Sequence, residues 1–395
     1  MKRIRAVPLL QVERGDLALR AENIYALSLA GISDTQDELL TMSDLKDFAP
    51  FPAQKFALVD HNRLGATFTK DNPDSQVVAV LDHHEDEGLH LDANPRVIAP
   101  CGSCASHVVP LLPHHYPPEI GTLLLTAIMI DTDGLKPGGK ALDLDKSSAL
   151  AAAFQSTFSN RIPPPSALAP IDQPRLDALH DTQAMIDLNA ALQGKKDDVS
   201  HLGAVDLLRR DYKEYVHPLP WVASGENDPP PTVQVGLATV PLRLKDWGSG
   251  GKLEKAALEW MTKRQLSVLG VLTTFRDKAK GKNGKGAHKR EMAWVVLAEP
   301  EINSLSKSGS GCTVEAVAKR LWSGLEAEGN LELKKHNKFD LLTKGDGRLP
   351  KTAAVRVYKQ GNAKATRKLV APVVKSILEQ KFPAEEKPKK KAAAL

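Results

Sequence analysis

The chain has 395 residues, 42% of them hydrophobic and 26% charged, a composition that excludes wholesale disorder and leaves room for two domains of ~150 residues each. Its longest apolar stretch, Ile120–Ile130, is interrupted by Gly121 and Thr122 and is too short to cross a bilayer, so no membrane association is expected. Three cysteines cannot make a disulfide framework and no charged-then-apolar leader opens the chain, which together predict a cytoplasmic protein. The net charge of +5, from 53 Lys and Arg against 48 Asp and Glu, permits a polyanionic ligand without demanding one.

In chain order, Leu17–Leu29 carries apolar residues on a helical period, as does Ile120–Ile130. Between them, Phe56–Val59 and Val77–Leu81 are compact apolar runs bounded by Asp, Asn and Pro, the pattern of buried parallel strands. This mixture predicts an α/β, doubly wound parallel-sheet domain over residues 1–172. Arg161–Pro174 is a proline-punctuated connector. A smaller mixed-sheet α/β domain is expected over residues 173–383. Strands are predicted there at Val233–Val240, Ser267–Phe275, Glu291–Ala298 and Ala353–Lys359, and helices at Thr313–Ala327 and Pro372–Gln380. Gly225–Pro231 and Arg276–Arg290 read as loops, and residues 384–395 as a disordered basic tail.

Chemistry concentrates behind the two N-terminal strands. The first ends in Asp60-His61-Asn62 and the second in Asp82-His83-His84. Ligands of open parallel sheets bind beyond the carboxyl ends of the strands, so both clusters should face one crevice. Carboxylate oxygen with imidazole nitrogen suits Mn²⁺, Co²⁺ or Mg²⁺. A further acid, Asp131, closes the apolar segment Leu123–Ile130 and could approach from a helix. Such a set can hold two metals, the arrangement used for in-line phosphoryl displacement. The competing reading makes each aspartate a turn former and each histidine a packing residue.

Six motifs occur in order: LVDHN (Leu58–Asn62), VLDHHEDE (Val80–Glu87), GSCAS (Gly102–Ser106), LLTAIMIDTDGLK (Leu124–Lys136), LLRRDYKEY (Leu207–Tyr215) and ATRKLVAP (Ala365–Pro372). Together they resemble the DHH phosphoesterase superfamily, and within it the fungal exopolyphosphatases with a C-terminal DHHA2 domain. Val7–Arg20 also resembles a segment of those exopolyphosphatases. The resemblance implies a hydrolase of phosphoanhydrides that needs Mn²⁺ or Mg²⁺ and releases terminal orthophosphate from inorganic polyphosphate. Inorganic pyrophosphatase and cyclic-nucleotide phosphodiesterase activities occur in the same superfamily and stay open. Asp60, His83 and Asp131 then correspond to metal ligands, and His84 to the histidine that meets substrate phosphate. Asp82 supports the pair of histidines from behind. Lys213, Arg367 and Lys368 correspond to substrate-binding cations, with Thr366 where the family's clamp has serine. Pro372 is expected to start the helix that follows them.

One motif of the superfamily, Asn/His-x-x-x-Asp-x-Asp after a first strand, has no counterpart in Met1–Leu10. Asp143-Leu144-Asp145 follows a glycine-rich loop and reads as a helix start instead. The expectation is an incomplete gene product with a weakened metal site. A catalytically inactive polyphosphate- or protein-binding paralogue is the alternative. Cys101-Gly-Ser-Cys104 has redox spacing, but reads better as small buried residues, with Ser103 or Ser106 capping a helix. His114-His115 reads as surface. The basic loop Arg276–Arg290 suits a long polyanion, and its lack of interleaved aromatics argues against nucleic acid.

Overall fold

A computed structural model of the chain describes residues 6–33, 37–162, 179–222, 229–277, 286–298, 312–341 and 349–380. Most of the proline connector, the middle of the basic loop, part of Gly225–Pro231 and the C-terminal tail lie outside those residues. The chain divides into two compact units, Met1–Val199 and Ser200–Leu395.

In the first unit, strands β1 (Lys55–Val59), β2 (Gln76–Asp82) and β3 (Arg96–Ile98) form a parallel sheet in the order β1-β2-β3. The register sets Leu58 beside Val80 and Val59 beside Leu81, so the carboxyl ends of β1 and β2 are level. Leu58, Val77 and Val80 are buried on the sheet. The helices are α1 (Ala21–Leu29), the short α2 (Ala66–Thr69) and α3 (Ala105–Val108), α4 (Pro118–Asp131), α5 (Asp143–Phe154) and α6 (Gln183–Asp197). The segment expected as one helix from Leu17 is split. A 3₁₀ turn at Arg14–Leu19 ends at Arg20, whose φ of −121° and ψ of 78° restart the chain as α1. In α4, Pro118 takes the first helical position, where its missing N–H costs nothing. Leu125, Ile128 and Met129 of α4 are fully buried with Ala149, Ala152 and Ala153 of α5. Met185, Leu188 and Leu192 of α6 join the same cluster, so residues 179–199 pack in this unit rather than in the next.

The second unit is built on a mixed sheet of β4 (Tyr212–Pro218), β5 (Thr232–Val240), β6 (Val268–Thr273), β8 (Ala287–Val296), β10 (Ala354–Gln360) and β9 (Leu333–Lys335), in that spatial order. Only β5 and β6 are parallel. The short β7 (Phe275–Asp277) pairs with the start of β8, Phe275 opposite Lys289. The ends of the expected basic loop are therefore a hairpin, stabilised by ladder hydrogen bonds that the Gly/Lys composition does not announce. Helices α7 (Ala204–Arg210), α8 (Leu244–Gly248), α9 (Lys252–Arg264), α10 (Val314–Ala327) and α11 (Arg367–Glu379) complete it. Alternate residues Val233, Val235 and Leu237 of β5 and Met292, Trp294 and Val296 of β8 meet Val317, Leu321 and Leu325 of α10 and Val370, Val374 and Leu378 of α11. Helix α11 begins at Arg367 and not at Pro372, which sits inside it. Burial of Val370 and Val374 on either side outweighs the one hydrogen bond that proline forfeits. No described helix is long and apolar enough to cross a membrane.

Gly270 of β6 is where the sheet admits no side chain: a Cβ there would lie 2.6 Å from the Trp294 ring and 2.7 Å from Leu237. Gly270→Ala should destabilise the second unit by about 2 kcal/mol through overpacking, read as a lower urea midpoint.

Candidate active site

The level ends of β1 and β2 bring the two aspartate–histidine clusters together. The chain leaves β1 at Asp60 with φ of +69°, a left-handed conformation aspartate tolerates, while its N–H donates to Leu81 O at 2.9 Å. His83 Nε2 lies 3.2 Å from Asp60 Oδ1. Asp60, His83 and His84 each offer one ligand atom, all within 4.8 Å of one another. Asp60 and His84 are well exposed and His83 is half-buried, so the trio faces outward from a buried base.

The hydrogen bonds behind the imidazoles define what they present. His83 Nδ1 is 3.0 Å from the carbonyl of Cys101, an acceptor, so Nδ1 donates there and Nε2 is the ring atom that faces Asp60 Oδ1, 3.2 Å away. An imidazole nitrogen beside a carboxylate oxygen, with the ring fixed from behind at Nδ1, is a donor set that fits a divalent metal. His84 Nδ1 is 2.8 Å from Asp82 Oδ1, which likewise leaves its Nε2 for a ligand.

Asp82 is fully buried and does not join the trio. Its oxygens accept from Asn62 Nδ2 at 2.6 Å, from the His83 N–H at 2.7 Å and from the His84 N–H at 3.2 Å, besides His84 Nδ1. Burial pushes its carboxyl up, but the bonds from His84, Asn62 and the two backbone N–H groups outweigh burial and hold it below the ordinary range. Asn62 also donates to Glu85 O at 3.0 Å and accepts from the Glu87 N–H at 3.1 Å, tying the two loops to each other.

Asp131 ends α4 outside the tight trio, yet near enough to respond to it. Burial raises its carboxyl above the usual range; a hydrogen bond from Ser103 Oγ at 2.7 Å opposes that, and the Asp60 charge adds to it. Ser103 belongs to a loop organised by the fully buried Asp145, which accepts from Gly102 N at 2.8 Å, Ser103 N at 3.1 Å, Ser106 Oγ at 2.6 Å and Leu142 N at 2.8 Å. Neither serine caps a helix, as the sequence suggested: each binds a carboxylate instead. Asp145 does start a helix, but its larger task is to hold the loop that carries both the His83 acceptor and the Asp131 partner. A Cβ on Gly102 would meet Thr132 Cγ2 at 2.6 Å, so the loop and the end of α4 touch at that point.

The thiols of this loop are silent. Burial and the nearby Asp145 charge push Cys101 up to about 12, and burial pushes Cys104 up to about 11. Both stay protonated at neutral pH, which removes the nucleophile a redox pair needs. His114 and His115 are exposed, away from the sheet.

In the second unit, Arg367 opens α11 with its guanidinium already engaged: Nη1 donates to Asp211 O at 2.8 Å and Nη2 to Asp211 Oδ1 at 2.8 Å. Lys213 follows Asp211 by two residues on β4, opposite Leu237, and is exposed, as is Lys368. The structure thus gathers the three cations at one end of the sheet and identifies Asp211 as the anchor of Arg367.

Asn62 and Asp211 are polar residues that motif reading left without a role, although they lie inside LVDHN and LLRRDYKEY. Ser103 and Asp145 were expected only to cap or start a helix, and their part in holding the loop beside Asp131 and His83 is visible only in the fold. Asp145→Asn should leave buried N–H donors facing an amide NH₂, lowering stability by about 3 kcal/mol and weakening Mn²⁺ binding measured by titration calorimetry. Iodoacetamide at pH 8 should alkylate Cys101 and Cys104 far more slowly than free cysteine. Rates should climb only as pH approaches 11, because a raised pKa leaves the thiol neutral below it.

Residues 190–377 match the family model of the DHHA2 domain. A Schizosaccharomyces pombe protein called "Putative exopolyphosphatase" is 27% identical over 394 residues, covering 95% of this chain and 83% of its own length. Among solved structures, one called "Methanococcus jannaschii putative family II inorganic pyrophosphatase" overlays with a TM-score of 0.42 at 16% identity, over 70% of this chain and 76% of that one. Residues 190–377 thus carry a DHHA2 domain match, and the ordered motifs of the first unit resemble those of the DHH phosphoesterase superfamily.

Proposed function

We propose that the chain is a metal-dependent phosphoanhydride hydrolase that acts as an exopolyphosphatase, removing terminal orthophosphate from inorganic polyphosphate. The observation that carries this reading is the convergence of Asp60, His83 and His84 at the level ends of two parallel strands, each imidazole held from behind at Nδ1 so that Nε2 faces outward. Asp60 and His83 would hold a divalent ion, Mn²⁺ or Mg²⁺, with Asp131 as a further carboxylate ligand from α4. The ion, when bound, supplies Lewis-acid polarisation of phosphoryl oxygen and a lowered pKa for water.

His84 is the side chain for the substrate. Its Nε2 faces outward while the buried Asp82 fixes the ring at Nδ1, so an Nε2–H can donate to a phosphate oxygen as negative charge builds there. Asp82 acts by fixing His84 and not by touching phosphate. In the DHHA2 domain, Lys368 and Lys213 offer mobile charges to phosphate, and Arg367 a planar fork whose position is set by Asp211. The S. pombe relative, by its name, supports polyphosphate over pyrophosphate as substrate.

Purified chain with Mn²⁺ or Mg²⁺ should release orthophosphate from a chain-length series of polyphosphates. His84→Ala should lower kcat by about 100-fold or more with an unchanged melting temperature. Exclusive use of pyrophosphate would replace the exopolyphosphatase reading, and wild-type turnover in His84→Ala would remove the role given to that histidine.

A further inference from the structure

The second unit carries another concave feature with an unusual charge. Where β10 ends at Gln360, opposite Arg290 near the start of the antiparallel β8, a cavity of about 470 Å³ opens. Seven Lys and Arg side chains line it against three acids, whereas the whole chain holds 53 against 48. Two of the three acids are already engaged by neighbours on the cavity wall. Asp277 lies 3.4 Å from Arg243, and Glu291 accepts the Leu244 N–H at 2.9 Å with its other oxygen 3.2 Å from His336 Nε2. Among the described residues, Lys245, Lys289, Lys334 and Lys338 form no ion pair, and all four are exposed on the cavity wall.

Arg290 makes this more than a basic surface. Its side chain reaches into the cavity wall at 9% exposure, Nε donates to the carbonyl of Ala363 at 2.7 Å, and no described carboxylate pairs with it. Burial lowers its pKa with no acid acting in the other direction. A buried guanidinium without a counter-charge is costly, and an anion in the cavity offsets that cost.

We propose that this cavity is a second phosphate-binding site, which takes several consecutive phosphates of an inorganic polyphosphate chain. The identity of the ligand rests on the exopolyphosphatase reading; the anion site itself rests on the cavity. It lies at the same end of the sheet as Arg367, which reaches Asp211 and the Leu237 carbonyl of β5. In the strand order β5-β6-β8-β10-β9, Arg290 on β8 is two strand spacings from β5, about 10 Å, and Lys334 on β9 is four, about 19 Å. Pyrophosphate is too short to touch both, whereas a longer chain can, and the second contact then forms at high effective concentration. Single-stranded nucleic acid shares the repeating negative charge but wants open aromatic faces. The aromatic ring of the cavity lining, Phe275, is covered by the Arg243 guanidinium 4.9 Å from its centroid.

The test is equilibrium binding of long-chain polyphosphate, pyrophosphate and a single-stranded oligonucleotide of matched charge to the full chain, in EDTA and low salt so that nothing is hydrolysed. Lys334→Ala with Lys338→Ala, both exposed, should weaken long-chain binding about tenfold and leave pyrophosphate binding unchanged. Arg290→Met should do the same, and if that variant does not fold the lysine pair decides. Unchanged long-chain affinity in the folded variants, or an equal loss for pyrophosphate, overturns the site. An oligonucleotide that binds tighter than polyphosphate and depends on the same lysines overturns the ligand. Because the readout is binding in EDTA, a chain that hydrolyses nothing would defeat the exopolyphosphatase reading without touching this result.

Discussion

The first unit depends on a carboxylate that never meets solvent. Asp82 is fully buried, and its two oxygens gather one asparagine, two backbone N–H groups and one imidazole. Removing a charge from water is tolerable only when every lone pair finds a donor, and here those donors are the residues that must be positioned. The energetic requirement of a buried aspartate is thereby converted into the orientation of both histidines. Asp145 repeats the device some sixty positions later, with four donors of its own, and fixes the loop that supplies the Cys101 carbonyl and Ser103. Two satisfied internal anions thus fix the geometry of an outward-facing group that is itself unsatisfied.

That lack of satisfaction has opposite signs in the two units. Around Asp60 and His83 a carboxylate and an imidazole Nε2 face the same point, and the Asp131 carboxyl nearby is raised first by burial and further by the Asp60 charge, an arrangement that a cation relieves. Around Arg290 the buried guanidinium and its exposed lysine neighbours mark a surplus of positive potential, which an anion relieves. A metal phosphoesterase of a polyanion needs both. In the proposed function a bound metal would polarise the reacting phosphoryl group, and separate cations would neutralise the rest of the polyanion, whose mutual repulsion would otherwise oppose binding. Arg367 shows a third arrangement, a cation neutralised by Asp211 and held in a fixed orientation. Its fork is pre-organised, so less rotamer freedom would be lost on meeting an anion.

Packing distinguishes the two halves as well. The first unit keeps its chemistry on short segments that leave strand ends, β1 at Asp60 and β2 at Asp82, over a small sheet core. Its helices α4, α5 and α6 bury their own cluster and present Asp131 from the end of α4. The second unit is one broad sheet whose alternating residues meet α10 and α11, with cations clustered at one edge of that layer. Helix α11 tolerates an internal proline because three apolar residues four apart, Val370, Val374 and Leu378, anchor it to the sheet.

The sequence by itself determined the strands at Phe56–Val59 and Val77–Leu81, the helix at Ile120–Ile130 and the pairing of aspartate with histidine behind each strand. Those signals are local: apolar runs of strand length, a helical period, and polar residues that follow a strand end without a break. It also carried the superfamily resemblance, through motifs that keep their order along the chain. Tertiary structure decided what distance along the chain conceals. That Asp145 serves Gly102 and Ser103, that Asp211 serves Arg367, and that Arg290 is buried with no described carboxylate beside it are facts about residues from about forty to more than one hundred and fifty positions apart. Burial and hydrogen-bond partnership depend on how elements fold onto one another, and a one-dimensional pattern reports only which residues are able to pair.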